Sequence, residues 1–472
     1  MARTRWRMGF HLMPPVGWLN DPNGLCQFRG TYHVFHQYSP DWPAPNAPRG
    51  WGHFTSEDLV HWRHHGMVIA PDTPEEATGS YSGCAVVMPG AASDGGDRLR
   101  LYYTGNVKEP GGFDYIRTGR RATQILIESD DAMSLGSKRV ILRNEDYPSD
   151  CTCHVRDPKV WRGEGRWWMI LGARDTSDRG IILLMSSEDG VAWTVANELR
   201  SSEPFGYMWE CPDRIVLDGR TYLSFCPQGM EGLPWANGMR DQSGYAPLPE
   251  GSNLSTPGVS IDTGAFRRWD AGFDFYAPQT FVDESGRTLL IGWMGMPEAP
   301  FESAPDGLPW CHCLTVPRVL TRLGDGAIAQ TPVPELERLR EAEELLIAPG
   351  TMVFSEQRAD IELTGIEGPL RLTLDGGLEI AFDGHELSCT FTEGACALGA
   401  GRTRRALPLD RMGNLRVLVD GSAVEIFAEG GRAVMSTRWF PVADALSVTI
   451  EGTCASARAW RMGDGMTGSV DA

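Results

Sequence analysis

The stretch Asp21-Pro-Asn-Gly-Leu-Cys-Gln-Phe-Arg-Gly30-Thr-Tyr-His-Val-Phe-His-Gln-Tyr38 decides the fold. A proline opens it, where a strand tolerates a missing N–H. The chain then reaches a glycine turn, and a strand rich in aromatic and aliphatic residues returns, which is the pattern of a β-hairpin. The returning strand recurs as Gly96-DRLRLYYTG, Gly165-RWWMILGA, Gly219-RTYLSFCP and Gly286-RTLLIGWM, at intervals of 66, 69, 54 and 67 residues. The opening proline recurs too. Asp21-Pro22, Asp157-Pro158, Glu210-Cys211-Pro212 and Ala277-Pro278 stand eight or nine residues before their glycines. The second copy has YSGCAVV (Tyr81–Val87) and a longer turn instead. A third element, Ser56-Glu-Asp58-Leu-Val-His-Trp62, reappears as Ser187-Glu-Asp189-Gly-Val-Ala-Trp193 and, less closely, as Ser129-Asp-Asp131-Ala-Met-Ser-Leu135.

Five such units predict an all-β fold, a five-bladed β-propeller closed around a central channel, within residues 1–333. The run Pro334–Leu346 predicts a short linker helix within 334–350, with Leu336, Leu339 and Leu346 near one face. From about Thr351, strict alternation takes over. Leu370, Leu372 and Leu374 turn through Gly376-Gly377 into Leu378, Ile380 and Phe382, and Leu415–Asp420 pairs with Val424–Phe427 around Gly421. This predicts an antiparallel β-sandwich over 351–472.

Composition narrows the function. The 472 residues carry 43 Lys plus Arg against 62 Asp plus Glu, a formal net charge of −19. That sign argues against nucleic acid as a partner. No run of about 18 apolar residues or basic amphipathic stretch points to a membrane. The N-terminal residues have no apolar core of a secretory signal, and an odd count of 11 cysteines fits reduced thiols, so a cytoplasmic location is expected. Sixteen tryptophans suit either packing or sugar-stacking surfaces.

Asp21, Asp157 and Glu210 occupy matching positions of three units and are expected to converge on one mouth of the channel. Three carboxylates brought together resist desolvation, which favours a functional reading. Converging carboxylates suit a hard cation or the cleavage of a glycosidic bond. Local sequence favours the second. Arg156 would keep Asp157 ionised, and the apolar neighbours Tyr207-Met-Trp209 would raise Glu210 toward a general acid.

The sequence resembles glycoside hydrolase family 32, the β-fructofuranosidases. The resemblance rests on WLNDPNG (Trp18–Gly24), RDP (Arg156–Pro158) and EC (Glu210–Cys211), in that order. It extends through HVFHQYSP (His33–Pro40), WGHFTSEDLVHW (Trp51–Trp62), YSGCA (Tyr81–Ala85), DFYAPQ (Asp274–Gln279), GWMGMPE (Gly292–Glu298) and VEIF (Val424–Phe427). It implies that Asp21 is a nucleophile forming a covalent fructosyl-enzyme, that Glu210 is the acid and then the base, and that Asp157 stabilises the transition state. It implies substrate contacts at Asn20, Gln37, Trp51, Ser82, Arg156, Tyr276 and Trp293. Trp42 joins them, although its surroundings match no motif closely. No metal or cofactor is implied, and the partner is a small carbohydrate.

The expected substrates are sucrose and short fructo-oligosaccharides, with sucrose-6-phosphate as the alternative. A phosphate would call for Arg or Lys at the pocket rim. Arg117, Arg120 and Arg121 are candidates that sequence alone does not place. Two departures from the family pattern stand out: Tyr81-Ser-Gly-Cys84 where a Phe-Ser-Gly-Ser run is frequent, and Val319 where a glutamate often follows the arginine matching Arg318. Rival readings are a zinc site at Cys151/Cys153/His154 or Cys311/His312/Cys313 and a non-catalytic carbohydrate-binding propeller.

Overall fold

In the computed structural model the deciding hairpin forms, although Pro22 lies inside its first strand and not at the opening. Gly17–Phe28 pairs antiparallel with Thr31–Ser39 across a two-residue turn. Arg29 and Gly30 both take positive φ, 52° and 81°, the geometry that matches the strands' right-handed twist. The pairs Glu164-Gly165 and Asp218-Gly219 do the same. The second unit differs, because its longer turn puts Gly95 rather than Gly96 at positive φ. The structure describes residues 6–466 except 306, 346–347 and 393–397. Leu346, the first five residues and the last six therefore lie outside the described residues.

The described residues of 17–332 form five sheets in chain order, each built on an antiparallel meander, with a short parallel strand added to the first and to the third. Their first strands are Gly17–Phe28, Gly79–Met88, Cys151–Gly163, Met208–Leu217 and Tyr276–Val282. Each first strand touches the first strands of both neighbouring sheets, and the fifth returns to touch the first. Trp310–Cys311 adds to the first sheet as a parallel strand beside Gly17–Trp18, so late and early segments share one sheet. Buried polar ties cross between first strands. Lys159 Nζ reaches Asp213 at 3.0 Å, and Asp213 accepts from the Thr280 N–H at 2.6 Å. Asn23 Oδ1 accepts from the Gly83 N–H at 3.1 Å.

Two six-stranded antiparallel sheets follow and enclose an aliphatic core that includes Leu372, Leu374, Ile380, Val417, Ile426 and Val448. The expected linker helix is corrected here. Pro334–Leu339 is a 3₁₀ turn with Leu336 and Leu339 buried, and Arg340–Leu345 is a strand paired with Ser456–Met462. The acidic run favours a helix in isolation, but pairing overrides propensity. Glu341 meets Arg461 and Glu343 meets Arg458 across the ladder, while the Arg340 guanidinium lies 3.8 Å from the Trp460 ring centre.

The N-terminal segment clasps the two regions together. The N–H groups of Gly9, Phe10 and His11 all donate to the Asp420 carboxylate, at 2.6–2.8 Å. The His11 ring bridges Asp420 at 2.9 Å and Glu425 at 2.8 Å. Glu425 in turn pairs with Arg318, which also reaches Asp270 at 3.4 Å. Every side chain in this network has no exposed surface. Among the described residues no helix is long and apolar enough to cross a membrane.

Candidate active site

Each of the five first strands breaks its ladder at the same level. Two residues oppose one at Asn20-Asp21, Tyr81-Ser82, Asp157-Pro158, Cys211-Pro212 and Ala277-Pro278. These are β-bulges, which bend a strand and re-aim its side chains. The three acids cluster at them in staggered positions. Glu210 immediately precedes its bulge, Asp157 is the first bulged residue, and Asp21 is the second. Asp157 sits at φ 65° and Cys211 at φ 46°.

Asp21 is partly exposed and held on both oxygens. Ser82 Oγ donates to Oδ2 at 2.5 Å and Asn20 Nδ2 to Oδ1 at 3.0 Å. Trp18 Nε1 donates to Asn20 Oδ1 at 2.9 Å, which orients that amide. Burial raises the Asp21 carboxyl, the Ser82 and Asn20 bonds oppose this, and Glu210 adds to the rise. Asp157 is buried, with its Oδ2 receiving the Cys211 N–H at 2.9 Å and its own N–H donating to Thr104 Oγ1 at 3.0 Å. Burial pushes Asp157 up to about 7; Arg156 opposes the rise, while Glu210 and Asp21 add to it. Glu210 accepts from Arg156 at 2.7 and 3.2 Å on Oε1 and from the Tyr276 hydroxyl at 2.9 Å on Oε2.

Two electrostatic expectations change. The short contacts of Arg156 go to Glu210, whereas its nearest approach to Asp157 is 3.9 Å. Glu210 does not sit in an apolar pocket. Neighbouring residues on a strand face opposite sides. The Trp209 indole is therefore fully buried in the wall, with Nε1 donating to the Phe205 carbonyl, while Glu210 faces Arg156 and Tyr276.

Of the expected substrate contacts, Asn20, Ser82, Arg156 and Tyr276 bond the acids directly. Gln37 is buried, and its amide donates to the Ser80 carbonyl at 2.8 Å. Trp293 is almost wholly buried, yet its Nε1 has no hydrogen-bond partner. Trp42 is half-buried, 6.0 Å from Trp18 ring to ring. Trp51 is a correction. It has no exposed surface, packs between Phe35 and Tyr103, and donates to the Tyr81 carbonyl at 3.0 Å, so it supports the floor from below. Cys84, the departure in YSGC, is buried and its sulfur accepts from the Val160 N–H, tying the second first strand to the third.

Three site roles escaped the sequence reading, that of His154 because it was weighed there only as a zinc ligand. Trp18 packs edge-on against His312 at 4.4 Å and lies 6.4 Å from Trp293, yet only its place in WLNDPNG hints at this. Asp241, pushed up to about 6 by burial with contributions from Glu210 and Glu298, is a further carboxyl in a loop with no repeated pattern. His154 receives Arg156 Nη1 on Nδ1 at 3.1 Å. Among the described residues neither cysteine-histidine cluster forms a metal-ligating group. His312 instead backs Trp18 and Trp293, and burial holds it neutral, down to about 3.

Carboxyls gathered beside partly exposed indoles on a polar floor define a sugar-cleaving hydrolase site. Comparison with known proteins agrees. The Glycosyl hydrolases family 32 N-terminal domain matches residues 11–332, and the Glycosyl hydrolases family 32 C terminal matches residues 380–460. A sucrose-6-phosphate hydrolase of Bacillus subtilis is 36% identical over 461 residues, 95% of this chain and 91% of that protein. A raffinose invertase of Escherichia coli is 34% identical over 458 residues, 94% and 92% of the two chains. Among solved structures, a sucrose-6-phosphate hydrolase from Lactobacillus gasseri superposes with TM-score 0.85 at 28% identity, covering 98% of this chain and 95% of that one. A Bombyx mori GH32 β-fructofuranosidase in complex with sucrose gives TM-score 0.80 at 27% identity, covering 99% and 96%. The chain belongs to glycoside hydrolase family 32 and is a glycosidase.

Proposed function

We propose that this chain is a retaining β-fructofuranosidase that releases terminal fructosyl residues from sucrose and short fructo-oligosaccharides. The observation that carries the reading is the paired orientation of Asp21 and Glu210. Asp21 is aimed by Ser82 and Asn20 from one side, and Glu210 by Arg156 and Tyr276 from the other. The Asp21 carboxylate attacks the anomeric carbon of fructose while Glu210 gives its proton to the glycosidic oxygen, and the leaving sugar departs. Glu210, now a carboxylate bonded by Arg156, takes a proton from water, whose oxygen attacks the same carbon and frees Asp21. Asp157, fixed by the Cys211 N–H, receives fructose hydroxyls and stabilises the oxocarbenium-like transition state. Trp18, Trp42 and the idle Trp293 Nε1 line the sugar.

The closed circuit of first strands supports a five-bladed propeller as the catalytic unit, residues 1–333. The sandwich then begins with Arg340–Leu345 rather than at 351. Ten unpaired cysteines among the described residues fit a cytoplasmic setting.

Glu210→Gln tests the assignment. Turnover of sucrose should fall about a thousandfold. Turnover of β-fructosyl fluoride, whose leaving group needs no proton, should fall far less. Unimpaired sucrose hydrolysis by this variant would overturn the role given to Glu210.

A further inference from the structure

The arginines that sequence could not place now separate. Arg117 is bonded by Asp178 at 3.1 Å and Arg121 by Glu109 at 2.9 Å. Arg120 bonds no carboxylate among the described residues. It lies directly across the antiparallel ladder from Lys108, which bonds none either. Like charges in facing positions destabilise a sheet, and here no carboxylate bonds either one among the described residues, although Glu210 lies within electrostatic reach of Arg120. Lys108 also lies within electrostatic reach of Arg49 and Arg156.

The hydrogen-bond arithmetic around Arg120 does not close. Its Nη1 meets His154 Nε2 at 2.9 Å, while Arg156 Nη1 meets His154 Nδ1 at 3.1 Å. Burial and the two guanidiniums hold His154 neutral, down to about 2. A neutral imidazole has one acceptor nitrogen and cannot serve both arginines. The contact of His154 Nε2 with the Tyr115 carbonyl at 3.0 Å makes that nitrogen the donor, so Arg120 is left with an idle N–H. Its Nε is buried with no partner as well. Buried donors without acceptors are rare unless something binds them.

The position of these donors is informative. Arg120 leads through His154 to Arg156, and Arg156 to Glu210, the acid that faces the leaving sugar. We propose that Lys108 and Arg120 bind a phosphate monoester on the leaving hexosyl group, making sucrose-6-phosphate the preferred substrate. This rests on the fructosidase reading and deepens it. A phosphate dianion supplies the acceptors Arg120 lacks and neutralises the facing cations.

The test compares kcat/KM on sucrose and sucrose-6-phosphate. The native chain should favour the phosphorylated sugar by about tenfold or more. Lys108→Gln and Arg120→Gln should each lower the ratio of the two kcat/KM values about tenfold, mainly through KM for the phosphorylated sugar. Lys108→Glu, on an exposed side chain, should lower it further. Arg117→Gln and Arg121→Gln, whose charges are already satisfied, should leave the ratio unchanged. Equal kcat/KM on the two sugars, or an unaltered ratio in the Lys108 and Arg120 variants, would overturn this proposal alone. Cleavage of neither sugar would overturn the fructosidase reading and this proposal with it.

Discussion

The Ser82 hydroxyl donates to Asp21 Oδ2 across 2.5 Å, from the bulge of the second sheet to the bulge of the first. This bond opposes the burial that raises the Asp21 carboxyl. Ser82→Ala should therefore move the acidic limb of kcat/KM to higher pH and lower kcat about 10- to 100-fold. Ser82→Thr, which keeps the hydroxyl, should restore the limb. A pH–rate profile decides, and an unmoved limb would show that Ser82 does not tune Asp21.

Asp157→Asn should separate activity from stability. With its carboxyl pushed up to about 7, native Asp157 binds a proton between about pH 4 and 7 that the unfolded chain does not hold. Stability due to this group thus falls as pH rises through that window. Asparagine does not ionise and tolerates φ 65°. The variant should lose activity about a thousandfold yet gain about 2 kcal/mol at pH 8. Urea unfolding at pH 5 and pH 8 checks this, and the gain should be clearly smaller at pH 5.

His11 shows a dependence of the same sign at more alkaline pH. Burial disfavours its charge, but bonds to Asp420 and Glu425 outweigh burial and push it up to about 9. The native chain then binds the extra proton between about pH 6.5 and 9. Its stabilisation is complete below 6.5 and is lost as pH rises through 9. His11→Gln should cost about 3 kcal/mol at pH 6, because two buried carboxylates lose their cation. Its melting temperature should also fall less steeply than the native one between pH 7 and 9.5. Parallel Tm profiles would show that His11 is not the titrating clasp.

The five hairpins were legible because a glycine turn recurs in all five units and a proline in four, although each proline lies at the bulge inside its strand and not at the strand's opening. The acids were legible as a group for the same reason. Their stagger was not. A bulge changes register against a partner strand, and the equal nine-residue spacing of Asp21 and Glu210 to their glycines hides it. The strand at Arg340–Leu345 was misread because its arginine partners lie over a hundred residues away. Trp51 was misread because a motif names an indole without saying which side of the floor it occupies. Arg120 could not be told from Arg117 and Arg121 until their acids were located.

The bulges carry one last consequence. A strand's side chains alternate, so a single-residue slip swaps faces. Deleting Asn20 would let the ladder run on from Asn23 to Tyr38 and turn the Asp21 carboxylate into the opposite wall. A redesign of this scaffold that tidied its inner strands into perfect pleats would produce a sturdier protein with no chemistry. The enzyme's precision lives in five deliberate misalignments.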